Sequence, residues 1–237
     1  GRMMASRWKL FLEWGSILSL IACAYWIFML TPIETSQGFS QKIMYLHVPT
    51  VIVTYLAFFI VFAFSIAYLW KRDLMFDRIA KSSAEIGLLF CALVLISGAV
   101  WGRPTWGTYW VWDARLTTTL LLFLIFMGYF LLRMSTEDRD KESRLAAVIG
   151  IIGFLDIPII HKSVEWWRTL HQPTTLFKTE DGMAKPSIPD ELLYPLLATM
   201  MAMLLFYLFL LQLRYRMETS QDELKQLMAQ DLSLIHI

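Results

Sequence analysis

The sequence predicts an all-α integral membrane protein with six transmembrane helices, on three observations. Hydrophobic residues make up 57% of the 237 and charged residues only 17%, a balance suited to a lipid-facing surface rather than a water-facing one. Six apolar runs approach or reach the ~20 residues that a helix needs to cross a hydrocarbon core. The Lys and Arg of the segments between them rise and fall alternately along the chain. Lipid offers the backbone no hydrogen-bond partners, so each run must close its own bonds as helix.

The runs are 14–31, 50–70, 84–101, 116–132, 145–160 and 192–211. The second is the clearest, and the third carries Glu85 near one end. The fourth is short but almost purely apolar. The fifth is interrupted near its end by Asp156 and Pro158. The sixth has Pro195 in its first turn, where a missing N–H costs little. Leu74, Met75, Ile79 and Ala80, among charges in the second connection, predict a helical turn lying at the membrane interface. Leu224, Leu227, Met228 and Leu232 predict a short amphipathic helix within a tail at 214–237. The whole of 1–237 reads as one membrane domain. No small-residue cleavage site follows the first run, so it is expected to stay in the bilayer.

The N-terminal segment holds Arg2, Arg7 and Lys9, and the second connection Lys71, Arg72, Arg78 and Lys81. The fourth holds Arg133, Arg139, Lys141 and Arg144, and the tail opens with Arg214 and Arg216. The first connection has only Lys42, the third only Arg103 and Arg115, and the long fifth only Lys162, Arg168, Lys178 and Lys185. The positive-inside rule then predicts cytoplasmic termini and outward connections one, three and five. Lipid is one partner. Nucleic acid is not, because a net charge of +1 supplies no basic surface to displace phosphate counterions. Cys23 and Cys91 lie inside apolar runs as small filler. No nucleophile sits beside a base and no phosphate-binding loop is present, so the chain does not read as an enzyme.

Chemistry gathers on the outward side. Between helices three and four, at 101–117, four of the ten tryptophans fall close together with a tyrosine, two arginines and an aspartate. His47 stands at the mouth of helix two and His171 after helix five. Two neutral imidazoles and a flat aromatic platform form a set that heme fits, with one imidazole on each face of the iron. Zinc would need further Cys or carboxylate ligands. If 106–116 is partly helical, Trp106, Trp110 and Asp113 share one face, with Tyr109 and Trp112 beside them. Arg103 and Arg115 suit the propionates. An interfacial aromatic belt is the plainer reading of the tryptophans, but a belt needs no fixed order. His161 reads as an ordinary hydrogen-bonding residue, and His236 lies on the cytoplasmic side. An acid at membrane depth is costly, so Asp156 with Pro158 marks either a functional kink or a wet cap.

The run Trp106-Gly107-Thr108-Tyr109-Trp110-Val111-Trp112-Asp113 resembles the WWD signature of the heme-handling proteins of cytochrome c biogenesis. Ala114-Arg115-Leu116-Thr117, His47-Val48-Pro49 and the stretch 157–171 are similar to one branch of it, the cytochrome c maturation protein C or heme exporter protein C family. Tyr109 stands where a Trp-Trp pair is common, and keeps the flat ring. The resemblance implies six helices in a bacterial inner membrane and heme b held at the periplasmic side. His47 and His171 would be the axial ligands and the WWD stretch the platform. It implies delivery of that heme to a periplasmic chaperone, cytochrome c maturation protein E (CcmE). An ABC transporter of proteins A and B (CcmA, CcmB) with the small membrane protein D (CcmD) then releases the loaded chaperone. Two other functions are compatible with the residues: a b-type cytochrome electron-transfer subunit, and a transporter moving heme through its own bundle. The first would keep its histidines at membrane depth, and the second would want a polar or broken path there.

Overall fold

Among the described residues, six helices long and apolar enough to cross a membrane make up the body of the protein. The structure, a computed structural model, describes residues 2–167, 169–171, 177–180, 183–186 and 188–235. In order these helices are α1 (Arg2–Tyr25), α2 (Met44–Lys71), α3 (Leu74–Trp106), α4 (Ala114–Ser135), α5 (Arg139–Trp166) and α6 (Asp190–Ile235). A π-helical turn, Trp26–Leu30, prolongs α1, and a 3-10 turn, Phe39–Ile43, leads into α2. An element that the all-helical expectation lacked sits between α5 and α6: strands β1 (Phe177–Glu180) and β2 (Met183–Pro186) pair antiparallel.

Local chemistry sets the helix ends. Asp73, Asp113 and Asp138 are the N-caps of α3, α4 and α5, each accepting backbone N–H bonds from the first turn. The N–H groups of Lys141 and Asp140 hold the exposed Asp138 carboxyl below the usual carboxylate range. Arg72 closes α2 in the left-handed region at φ 57°, and its N–H reaches the Tyr68 carbonyl. The end of the α1 extension is closed from elsewhere in the chain. The buried Lys42 ammonium donates to the carbonyls of Ile27 and, at 3.0 Å, Thr31. The sole basic residue of the first connection is therefore bound up in capping the last orphan carbonyls of α1.

α2 lies at the centre, packed against α3, α5 and α6, while α1 leans on α6. One core cluster joins α2 to α3, α4 and α5, where Phe58 and Phe126 stack at 3.8 Å. Two others join α2 to α6 through residues such as Tyr45 and Leu196, and Val53 and Tyr207. Close approach depends on missing side chains: a Cβ at Gly87 would stand 2.8 Å from the Phe58 ring, and one at Gly150 2.8 Å from Val61. Cys23 and Cys91 are free and buried.

Two elements differ from the sequence-based expectation. α3 is continuous over 33 residues and starts at Leu74, so the expected interfacial turn is its first segment. Asp77 and Ala80 of that segment are buried in the bundle. The tail helix is likewise the continuation of the 46-residue α6, with Leu224, Leu227 and Met228 exposed. An ion-pair network joins these extended helix ends. Arg133 of α4, only 7% exposed, pairs with Asp77 at 2.5 Å and Glu142 at 2.8 Å, and donates to the Tyr129 hydroxyl oxygen at 2.8 Å. Arg139 bonds Asp77, Glu142 and Asp222, and Asp222 also meets Arg78. Lys81 pairs with Glu218 at 2.7 Å, and Arg214 joins Glu85 to Glu218. Charges that the sequence reading counted only toward orientation form a clamp tying α3, α4, α5 and α6 together at one end of the bundle.

Candidate functional site

At the opposite end the chain turns from α3 to α4 through the tryptophan-rich stretch. α3 runs to Trp106 with Pro104 in its last turn, and Gly107 ends it at φ 80°, its N–H on the Arg103 carbonyl at 3.0 Å. A left-handed residue at this position favours glycine, since a Cβ there is strained. From Gly107 to Asp113 the backbone is not helical, so the condition for Trp106, Trp110 and Asp113 to share one helical face is not met. Glycine breaks the helix first, and Asp113 then caps a new one. The platform is instead built from contacts across the turn. Trp110 and Trp112 meet edge to face at 5.4 Å; Trp112 is 75% exposed and Tyr109 59%. The Trp110 indole N–H is buried and has no hydrogen-bond partner among the described residues. Large apolar rings left this open are surface offered to something else.

Asp113 connects this turn to the last outward segment. One carboxylate oxygen accepts from the Leu116 N–H at 2.8 Å, and the other accepts from the Thr169 hydroxyl at 2.8 Å. Thr169 Oγ1 in turn accepts the backbone N–H of His171 at 2.8 Å. The His171 ring stands edge to face on Trp106 at 4.9 Å, with its Nδ1 3.9 Å from the Asp113 carboxylate. That distance is too long for a hydrogen bond, and Nδ1 has no partner among the described residues. Burial and the Arg115 guanidinium push the His171 imidazole down to about 4, against a smaller opposing pull from Asp113. At neutral pH it carries a free lone pair, the form that binds a metal. An open hollow of about 340 Å³ lies alongside, lined by Val111, Trp112, Asp113, Thr169 and Leu170.

His47 sits in the first turn of α2, half-buried. Its Nδ1 lies 2.9 Å from the Ser97 hydroxyl, and its ring is edge to face with Trp101 at 5.8 Å. The Trp101 indole donates to Gln37 at 3.1 Å, which ties the first outward connection to the same place. Trp101 and Trp106, the contacts of His47 and His171 respectively, both lie in the last six residues of α3. The fold thus brings the mouth of α2, the tryptophan turn and the segment after α5 to one end of the bundle.

The arginines are engaged differently from each other. Arg103 donates to the Gly107 carbonyl and lies over the Tyr109 ring at 5.6 Å. Arg115 donates to the His161 carbonyl at 3.3 Å, and its buried Nε has no partner among the described residues. His161 exposes its ring. Asp156 is buried in α5, with one carboxyl oxygen unpartnered among the described residues. Arg168 and His236 lie outside the described residues. Sequence reasoning did not single out Ser97 or Thr169, and it counted Trp101 only among the tryptophans of 101–117, without its link to His47. Their signal was register alone: Ser97 and Trp101 are four apart on one face of α3, and Thr169 precedes His171 by two.

Among the described residues no group of three or more His, Cys, Asp or Glu is placed to hold a metal ion. The donor set at this end is two imidazoles, exposed indole faces and a half-buried guanidinium. These fit a planar macrocycle whose metal takes axial nitrogen and whose rim carries carboxylates.

The model of one protein family, described as heme exporter protein C, matches residues 2–230. Heme exporter protein C of Bradyrhizobium diazoefficiens is 39% identical over 205 residues, covering 84% of this chain and 75% of that protein. The Haemophilus influenzae protein of the same name is 39% identical over 203 residues, covering 85% and 80%. That of Escherichia coli K12 is 40% identical over 170 residues, covering 70% and 69%.

Proposed function

Because this chain belongs to the heme exporter protein C family, we propose that it is the heme-holding member of a heme delivery system of cytochrome c biogenesis in the bacterial inner membrane. His47 and His171 bind the iron of heme b from its two faces at the periplasmic end. The Trp106, Tyr109, Trp110 and Trp112 rings give the macrocycle its apolar wall, Asp113 fixes the segment that carries His171, and Arg103 and Arg115 receive the propionates. One observation carries this reading. Imidazoles distant in sequence, one on α2 and one after α5, each stand edge to face on a tryptophan of the last six residues of α3, His47 on Trp101 and His171 on Trp106.

Filling both axial positions of the iron suits holding heme and disfavours oxygen chemistry. The chain's task is therefore binding and orientation, not catalysis: the aromatic wall limits rotation of the ring, so one edge is offered outward. The receiver is the periplasmic chaperone CcmE, and the ABC subunits CcmA and CcmB with CcmD release it once loaded. The two histidines lie at one end of the bundle rather than at mid-membrane, which favours presentation over electron transfer within the bilayer. Co-purification with the chaperone tests this. Capture should require added heme and should fall in Trp110→Ala and Trp112→Ala; capture indifferent to heme and to both residues would contradict it.

A further inference from the structure

Ser97 contacts His47 from the neighbouring helix, and its own proton is already committed. The hydroxyl lies 2.6 Å from the Leu93 carbonyl, one turn back on α3, and 3.4 Å from that of Val94. A serine hydroxyl has one proton and two lone pairs. With the proton on Leu93, Oγ faces the His47 Nδ1 at 2.9 Å as an acceptor. The opposite assignment would set Oγ and a carbonyl oxygen 2.6 Å apart with no proton between them. Nδ1 of His47 is therefore the protonated nitrogen, and Nε2 is bare. Ser97 is only 7% exposed, so water does not readily replace it.

The rest of the ring's surroundings agree. A Cβ at Gly98 would stand 3.1 Å from Cε1 of His47, so the glycine lets the imidazole lie against the α3 backbone. Trp101, four residues beyond Ser97, closes the side at 5.8 Å. Three residues of one short stretch of α3 thus fix tautomer, depth and tilt of a side chain carried by α2. Among the described residues His171 has no equivalent: its Nδ1 is 3.9 Å from Asp113, and it is held through Thr169 and the backbone.

We propose that Ser97 is a positioning residue that locks His47 in its Nδ1–H tautomer, leaving Nε2 as the nitrogen that ligates heme iron. This rests on His47 being an axial ligand. An acceptor on the far N–H of a ligating histidine fixes the ring and raises its basicity, and outer-shell partners of this kind are typically worth about 10–100-fold in metal affinity. A more basic imidazole also favours ferric over ferrous iron.

The test uses the full chain in detergent or nanodiscs, loaded with heme, with two readouts: the rate of heme transfer to apomyoglobin and the midpoint potential by spectroelectrochemistry. Ser97→Ala should release heme about 10–100-fold faster and move the midpoint upward. Ser97→Thr, which keeps the hydroxyl and its bond to Leu93, should restore both. Ser97→Cys, similar in size but a poor acceptor, gives the same readout if the alanine variant does not accumulate. A Ser97→Ala protein matching the parent in both, or a threonine variant behaving like alanine, overturns the role of Ser97. His47→Ala separates that failure from the deeper one. If its low-spin spectrum is unchanged, His47 is no ligand and the inference falls with it.

Discussion

The Thr169 hydroxyl donates to the Asp113 carboxylate at 2.8 Å, across 56 residues of sequence. The other oxygen of the same carboxylate caps α4 at Leu116. One acid thus does two separable things: it starts a helix, and it holds the segment that carries His171.

That separation is measurable. Thr169→Val keeps the cap and removes the tether, so it should speed heme loss severalfold while shifting the thermal midpoint little. Asp113→Ala removes both and should also lower stability by about 1 kcal/mol, as for a lost N-cap. Thermal unfolding of the two variants beside heme transfer to apomyoglobin checks this. Unchanged transfer in Thr169→Val would show that the tether does not hold the ligand.

At the other end of the bundle, Arg133→Met leaves Asp77 buried at 2% exposure, with Arg139 as its remaining partner. Removing one partner of such a pair costs about 3–5 kcal/mol. Replacing both, as Asp77→Leu with Arg133→Met, should recover most of it. Chemical unfolding in mild detergent distinguishes the two, and equal losses in single and double variants would count against a coupled pair.

Packing makes a sharper contrast. Gly87→Ala forces a methyl to within 2.8 Å of the Phe58 ring, whereas nothing lies within 4 Å of a Cβ at Gly128. The first should destabilise by about 1–3 kcal/mol and be relieved by Phe58→Leu; the second should be neutral. Similar midpoints for both glycine variants would mean that α2 and α3 do not meet as closely as described.

The charge alternation predicts a sidedness that can be measured. Single cysteines placed at Ser36 and Tyr109, both exposed, should react with a membrane-impermeant maleimide added outside spheroplasts. One placed at Glu137, in the connection between α4 and α5, should react only after lysis. Cys23 and Cys91 are buried and should contribute little background. The reverse labelling pattern would invert the topology.

The six helices were legible because lipid imposes a simple condition on length and polarity. His47, His171 and the tryptophans were legible as unusual chemistry between apolar runs. The polar neighbours were not. Ser97 looks like any serine in a membrane helix, and only the position of α2 against α3 gives its hydroxyl a purpose. Arg133 counted toward orientation, yet it is buried between Asp77 and Glu142, because residue counts carry no pairing information. The local form of the platform was not legible: a shared face for Trp106, Trp110 and Asp113 was conditional on helix through Gly107, a residue whose freedom at φ 80° ends the helix there.

The central claim is that His47 and His171 hold one heme from two sides. The most direct measurement is the absorption and EPR spectrum of the heme-loaded protein in the parent, His47→Ala and His171→Ala. A low-spin bis-histidine signature in the parent, lost in both variants and kept in His161→Ala, is the predicted result. A parent without that signature, or one that keeps it after loss of either His47 or His171, would contradict the account.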